Sequence, residues 1–149
     1  MILTKIKIHQ YKGINEEKEI VIDDFNVIVG QNDAGKSTIL KSLDCFLNSN
    51  NPSKEDLNNN STDNLISITL FFNPSNQSVI IDQNIETTFE EEELINESSQ
   101  LEVKKVWDVS KSRITADTYL VRKNVMLLIF SIFINVIFTK TTQRTNSSF

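Results

Sequence analysis

The sequence contains one cysteine, Cys45, among its 149 residues. A single cysteine excludes an internal disulfide framework, and without a C-x-x-C pair there is no sign of a structural metal. This cysteine usage is typical of a reducing compartment, and we expect a cytoplasmic protein. The N-terminus, residues 1–11, lacks the basic start, apolar run and small-residue cleavage site of a signal peptide. We therefore expect it to be part of the fold.

An excess of basic residues is also missing, since the formal net charge is -5 and the pI is about 4.9. This charge excludes a protein that coats nucleic acid with a general basic surface, although it leaves a local basic groove open. With 39% hydrophobic and 23% charged residues, the composition is that of one globular domain rather than a disordered chain.

An apolar run of membrane-spanning length is absent as well. Residues 125–138 are apolar except for Ser131 and Asn135, but a spanning helix needs about 18 to 20 such residues. A buried strand or helix is the favoured interpretation. The alternatives are a transmembrane helix and an end that does not belong to the ancestral reading frame. We expect residues 123–149 to form an apolar segment with a polar tail, next to a main domain of residues 1–122, and we expect no membrane partner.

The period of the apolar residues predicts strands at the start of the chain. Residues 2–8 alternate between apolar and polar side chains, which is typical of a strand half exposed to water. Residues 19–22 form a second extended run. Residues 25–29 are almost continuously apolar and β-branched, and they predict a central strand covered on both faces.

The period changes after residue 36 to that of an amphipathic helix, whose apolar stripe is Ile39, Leu40, Leu43, Phe46 and Leu47. The Asn-rich residues 48–64 predict a long surface loop or insertion. Further strands are expected at residues 65–72, 79–81, 101–109 and 118–121. The acidic run at residues 90–93 is interpreted as a solvated surface.

One motif carries chemistry: G-x-x-x-x-G-K-[ST] is satisfied at every fixed position. The chain has only three glycines, and two of them stand at fixed positions of this motif. A predicted strand ends at the motif and a predicted helix starts within it, which is the arrangement of a phosphate-binding loop. The residues are, in order, Gly30, Gln31, Asn32, Asp33, Ala34, Gly35, Lys36 and Ser37, followed by Thr38.

There is a physical reason why each residue type in this loop suits phosphate binding. Gly30 and Gly35 allow positive φ and close backbone approach to phosphates. The following N–H groups form a concave nest at the positive end of a helix dipole. Lys36 is expected to reach the β and γ phosphates, and the Ser37 hydroxyl is expected to be a Mg2+ ligand. Thr38 is expected to donate near the α phosphate. The cofactors predicted from this motif are ATP and Mg2+.

With these residues in view, the chain resembles a known family. The order of residues 6–13 and the run FNVIVGQNDAGKSTILKSL resemble the N-terminal ATPase lobe of the RecF/SMC-like ABC ATPases, and the OLD family of ATP-dependent endonucleases in particular. The resemblance covers residues 1–72 well and residues 101–121 loosely. It implies an α/β (α+β) P-loop NTPase fold with a mixed sheet. It also implies that Lys12, after the first strand, helps to hold the nucleotide phosphates; an exposed turn lysine is the equally weighted alternative.

The resemblance further implies a homodimer formed through ATP and coupled to DNA work, in repair or anti-phage defence. The chain departs from the family pattern because it has no S-G-G signature, no apolar strand ending in Asp-Glu, no later switch histidine and no Toprim-like acidic cluster. We therefore expect an ATP-binding segment that does not hydrolyse ATP alone, with a C-terminal ATPase or nuclease region elsewhere. The alternatives are a stand-alone nucleotide-binding module and a fragment of an ABC-transporter-type ATPase.

Overall fold

The computed structural model describes residues 1–31, 35–48, 50–74, 78–82, 85–122 and 125–129. Within them, six strands form one sheet in the order β2-β1-β3-β6-β7-β8, and every described strand pair is antiparallel. The strands of this sheet are β1 (Ile2–His9), β2 (Lys18–Val21), β3 (Leu65–Asn73), β6 (Leu101–Asp108), β7 (Ala116–Arg122) and β8 (Val125–Ile129). A separate hairpin pairs β4 (Ser78–Asp82) with β5 (Ile85–Thr88).

The strand β3 lies at the centre of the sheet and is buried over seven consecutive residues. It pairs with β1 on one side and with β6 on the other, so its backbone groups are used on both edges. The neighbouring β6 instead alternates strictly between buried and half-buried residues. The two patterns show that one face of the sheet carries the main core while the other is partly covered at its centre.

The main core lies between the inner face of the sheet and the single described α-helix, α1 (Lys36–Leu47). Cys45 and Phe46 contribute to it from α1, together with Tyr11 after β1. The sheet contributes aliphatic and aromatic side chains that are almost fully buried: Ile6, Ile8, Ile66, Ile68, Leu70, Phe72, Leu101, Val103, Trp107 and Leu120.

The predicted strands at residues 2–8, 19–22, 65–72, 79–81, 101–109 and 118–121 are all present. Of the apolar run at residues 125–138, Val125–Ile129 forms β8 on the outer edge of β7, so the strand interpretation holds there. Residues 130–138 and the polar tail lie outside the described residues. No helix in the described part of the chain is long and apolar enough to span a bilayer.

The predicted central strand at residues 25–29 is wrong. These residues form no strand, and Phe25, Val27 and Val29 are 83%, 65% and 82% exposed. The physical reason is a turn at the end of β2, where the Asn26 amide donates to the Asp23 carbonyl at 2.6 Å and accepts from the Asp23 N–H at 3.3 Å. This turn directs the apolar segment away from the sheet, and most of its apolar surface is left exposed.

The helix is present as predicted, but its buried face is rotated relative to the predicted stripe. Leu40 and Leu47 are 60% and 52% exposed, whereas Thr38, Ser42 and Cys45 are buried beside Phe46. The Asn-rich residues 48–64, predicted as a surface loop, are also hydrogen-bonded to other parts of the fold. Their described residues contain one 3-10 turn, Lys54–Asp56, and hydrogen bonds join them to the sheet and to the turn after β1.

Two leucines test this division between buried and exposed apolar positions. Leu70→Ala, at a fully buried position in β3, should lower the free energy of unfolding by about 2–5 kcal/mol, because it removes core contacts and leaves a cavity. Leu40→Ala should change it by less than about 0.5 kcal/mol. Urea denaturation measures both, and losses of equal size would contradict the described packing of α1.

Candidate phosphate-binding site

The start of α1 is the centre of the candidate site. Gly35 is the residue before the helix and has φ of 81°, in the left-handed region. A Cβ built on Gly35 would meet no atom within 4 Å, so backbone conformation rather than crowding favours glycine here. The Gly35 carbonyl accepts from the N–H groups of Thr38 at 3.1 Å and Ile39 at 3.3 Å, which starts the helix directly after the turn.

The Lys36 side chain folds back to the start of the motif. Its ammonium donates to the Gly30 carbonyl and to the Gln31 carbonyl, each at 2.5 Å. These two bonds join the two ends of the motif through the lysine ammonium. Asn32, Asp33 and Ala34 lie outside the described residues, so their predicted role stays a prediction.

The electrostatics of the helix start favour an anion. The first turn of α1 contains no acidic residue, and its free N–H groups carry the positive end of the helix dipole. Ser37 is exposed, and its hydroxyl has no hydrogen-bond partner within the described residues. Thr38, by contrast, is 8% exposed and belongs to the buried face of the helix. The arrangement places the Lys36 ammonium, the Ser37 hydroxyl and the backbone N–H groups of the first turn at one end of the helix.

Lys12 lies in a different environment. Its ammonium forms a short ion pair with Asp56, and its N–H donates to the Asp56 carbonyl. The Asn58 amide donates to the Lys12 carbonyl at 2.5 Å. The neighbouring Tyr11 hydroxyl lies 3.7 Å from the sulfur of Cys45, near the C-terminal end of α1. The described contacts therefore hold Lys12 against the 3-10 turn Lys54–Asp56. Its predicted phosphate contact stays a prediction.

The remaining candidates, Cys45 and the acidic residues 90–93, have environments typical of packing and surface residues. Cys45 is 6% exposed, and burial raises the pKa of its thiol, as expected for a packed cysteine rather than a nucleophile. In the acidic run at residues 90–93, all four side chains are exposed, and Glu93 pairs with Arg122 at 2.8 Å. No group of three or more His, Cys, Asp or Glu side chains suited to a metal ion occurs among the described residues.

The sequence reasoning missed the contacts that hold α1 and the following turn on the sheet. Lys105 donates from β6 to the Phe46 carbonyl at 2.6 Å, and the Trp107 indole donates to the Asn51 side chain at 3.0 Å. A signal for Lys105 existed, because it interrupts an inward-facing series of apolar residues at period two: Leu101, Val103 and Trp107. No comparable pattern marks Asn51 or Asp56.

The ion pair between Lys12 and Asp56 predicts a pH dependence. Burial alone would raise the pKa of Asp56, but the Lys12 ammonium and the Ser53 hydrogen bonds lower it. Because the pKa is lowered, the ion pair stabilises the folded protein at pH values above the ordinary carboxyl pKa, about 3.9. This stabilisation is lost as the pH falls further. The stability difference between the wild type and Asp56→Asn should therefore be largest near neutral pH and shrink in acid. Urea midpoints from about pH 7 to pH 2 measure it, with the exposed Glu55→Gln as control. A constant difference would contradict the assignment.

Comparison with known proteins finds similarity over nearly the whole chain. The family model of the AAA ATPase domain matches residues 1–147. A solved structure, from work on the structural biochemistry of ATP-driven dimerization and DNA stimulated activation of SMC ATPases, has a TM-score of 0.67 and 14% identity, over 95% of this chain and 80% of that chain. Identity this low supports the fold alone. No curated protein sequence matches. The predicted α/β P-loop NTPase fold is confirmed.

Proposed function

We propose that this chain, which belongs to the AAA ATPase domain family, binds ATP with Mg2+ at residues 30–37. The observation that carries the proposal is the Lys36 ammonium, held over the loop by the Gly30 and Gln31 carbonyls at the N-terminus of α1. A lysine charge in this place is suited to the β and γ phosphates. The family makes the chain an ATPase-type module, and the residue roles are our proposal.

The residues fit magnesium nucleotide chemically. The exposed Ser37 hydroxyl follows Lys36 directly and can serve as one oxygen ligand, and Mg2+ usually keeps several waters and binds phosphate oxygens as well. The metal neutralises the phosphate charge when it is bound. The backbone donors at the start of α1 and the absence of an acid in its first turn favour the same charged group. Gln31, Asn32, Asp33, Ala34 and Thr38 complete the proposed nucleotide-contacting set, with Lys12 as an additional phosphate ligand.

We propose further that the chain is the N-terminal lobe of a larger ATPase. Support comes from the apolar surface beside the loop, since Phe25, Val27 and Val29 are all more than half exposed directly before Gly30. Exposed apolar segments of this kind mark interaction sites. A C-terminal ATPase or nuclease region would cover these residues and supply the positioned carboxylate that hydrolysis needs. On this proposal the chain alone binds ATP without turning it over.

The biological setting is proposed by resemblance. The SMC ATPases of the similar structure are described by ATP-driven dimerization and DNA-stimulated activation. By analogy we propose a homodimer formed through ATP, acting on DNA in the cytoplasm within a RecF-like or OLD-like system for repair or anti-phage defence. This analogy operates at the level of fold and motif, and the nucleotide site is the part that the experiments below address.

Lys36→Ala tests the nucleotide site. The variant should bind Mg-ATP roughly 100-fold more weakly or not at all, because two charge-assisted hydrogen bonds of about 1.5–3 kcal/mol each are lost. Lys41→Ala, an exposed lysine on the same helix, is the matched control and should bind as the wild type does. Isothermal titration calorimetry measures both. Unchanged affinity of Lys36→Ala would reject the phosphate-binding loop.

Ser37→Ala tests the metal ligand separately. It should weaken ATP binding about tenfold when Mg2+ is present, since one oxygen ligand is removed, and much less when EDTA replaces the metal. The comparison between the two conditions is its own control for folding. Equal losses with and without Mg2+ would remove Ser37 from the metal site.

A further inference from the structure

Lys105 occupies a core position that its chemistry does not favour. It stands on the inward-facing side of β6 between Val103 and Trp107 and is only 9% exposed. Its cross-strand neighbours are Ile68 on β3 and Thr118 on β7, and both are buried. A lysine in such surroundings costs stability unless its charge meets a partner.

The partner that the described residues provide is the end of α1. The Lys105 ammonium donates to the Phe46 carbonyl at 2.6 Å and lies 4.8 Å from the centroid of the Phe46 ring. Phe46 belongs to the last turn of the helix, where carbonyls have no intrahelical donor and the dipole is negative. The helix has no basic residue of its own in this turn. Lys105 supplies that missing cation from another element.

Lys105 stands at a position that an apolar residue would suit. No ion pair joins Lys105 to an acid within the described residues, and burial lowers its pKa. Replacing a buried charge by a well-packed apolar side chain is often neutral or stabilising. Stability is therefore a weak reason for this lysine, and a role in placing α1 is a stronger one.

We infer that Lys105 is a positioning residue, which fixes the C-terminal end of α1 on the sheet and so sets where Lys36 and Ser37 point. The helix has 12 residues and is about 18 Å long, so a tilt at Phe46 moves its other end. The inference rests on the proposed function, because the group positioned is the proposed phosphate site. Neither the motif nor the resemblance assigns a role to Lys105.

The chain contains its own probe for the placement of α1. Cys45 is the one cysteine in the sequence, it precedes Phe46, and it is 6% exposed. A thiol reagent such as DTNB can label it only when α1 moves off the sheet or the protein opens locally. The labelling rate without nucleotide therefore reports the placement of α1, while calorimetry with Mg-ATP reports the phosphate site.

The experiment compares Lys105→Met with Lys105→Arg and Lys104→Met. Methionine removes the charge while keeping a long apolar side chain, and arginine keeps the charge. Lys104 is adjacent in sequence but faces the other side of the sheet, so Lys104→Met is the matched control. Each variant is assayed for its urea midpoint, its Cys45 labelling rate and its Mg-ATP affinity.

Lys105→Met should still fold, as shown by a cooperative urea transition, while its Cys45 is labelled about tenfold faster and its Mg-ATP affinity falls about tenfold, the effect of one lost charged hydrogen bond. Lys105→Arg should keep most of the wild-type resistance to labelling and most of the Mg-ATP affinity. Lys104→Met should match the wild type in both measurements. Unchanged labelling in folded Lys105→Met would overturn the inference, and so would faster labelling without loss of affinity.

Two further outcomes remain decisive. If the wild type does not bind Mg-ATP, the proposed function fails, and the labelling rates alone decide whether Lys105 places α1. If Lys105→Met does not fold, Lys105→Gln, which keeps a neutral hydrogen-bond donor, is assayed instead. Its labelling and affinity should then fall between those of the wild type and the loss expected for methionine, and wild-type values of both would reject the inference.

Discussion

The attachment of α1 to the inner face of the antiparallel sheet is the contact on which the candidate site depends. The motif ends in the first turn of α1, and an isolated helix of 12 residues is marginal in water. Packing of Cys45 and Phe46 into the core supplies the stability that helix propensity alone does not. The placement of the helix start, where the candidate site lies, therefore depends on contacts made at the opposite end of the helix.

Gly35 and Lys36 then convert a packed helix into a site. The left-handed Gly35 turns the chain into the first helical turn, and Lys36 returns across the loop to the Gly30 and Gln31 carbonyls. The positive φ of Gly35 and the start of the helix were predicted from the motif, whereas the bonds of Lys36 to these carbonyls were not, since the motif predicted a phosphate contact for Lys36. The helix needs the sheet in order to persist, whereas the candidate site was proposed from the motif without knowledge of the sheet.

The strands of the sheet were predictable for the same reason. The alternation in β1 and β6 follows from one covered and one wetter face, and periodicity reports this directly. Residues 25–29 show where this reasoning fails. An apolar run indicates that a segment favours burial, but it does not identify a covering surface, and here the Asp23–Asn26 turn leads the run into solvent. The contacts of Lys105, Trp107 and Asp56 were unpredictable because each joins residues more than 40 positions apart.

The rotated face of α1 and the exposed run at residues 25–29 have one physical explanation. Leu40 and Leu47 are separated by two helical turns and lie on one side of α1, opposite the side that the sheet covers with Cys45 and Phe46. A helix that is apolar on two sides is typical of one packed between two layers. The described chain supplies one of these layers. On our proposal that the chain is one lobe of a larger ATPase, Phe25, Val27 and Val29 and the two exposed leucines of α1 would pack against a second layer, and the loop between them would lie inside that protein.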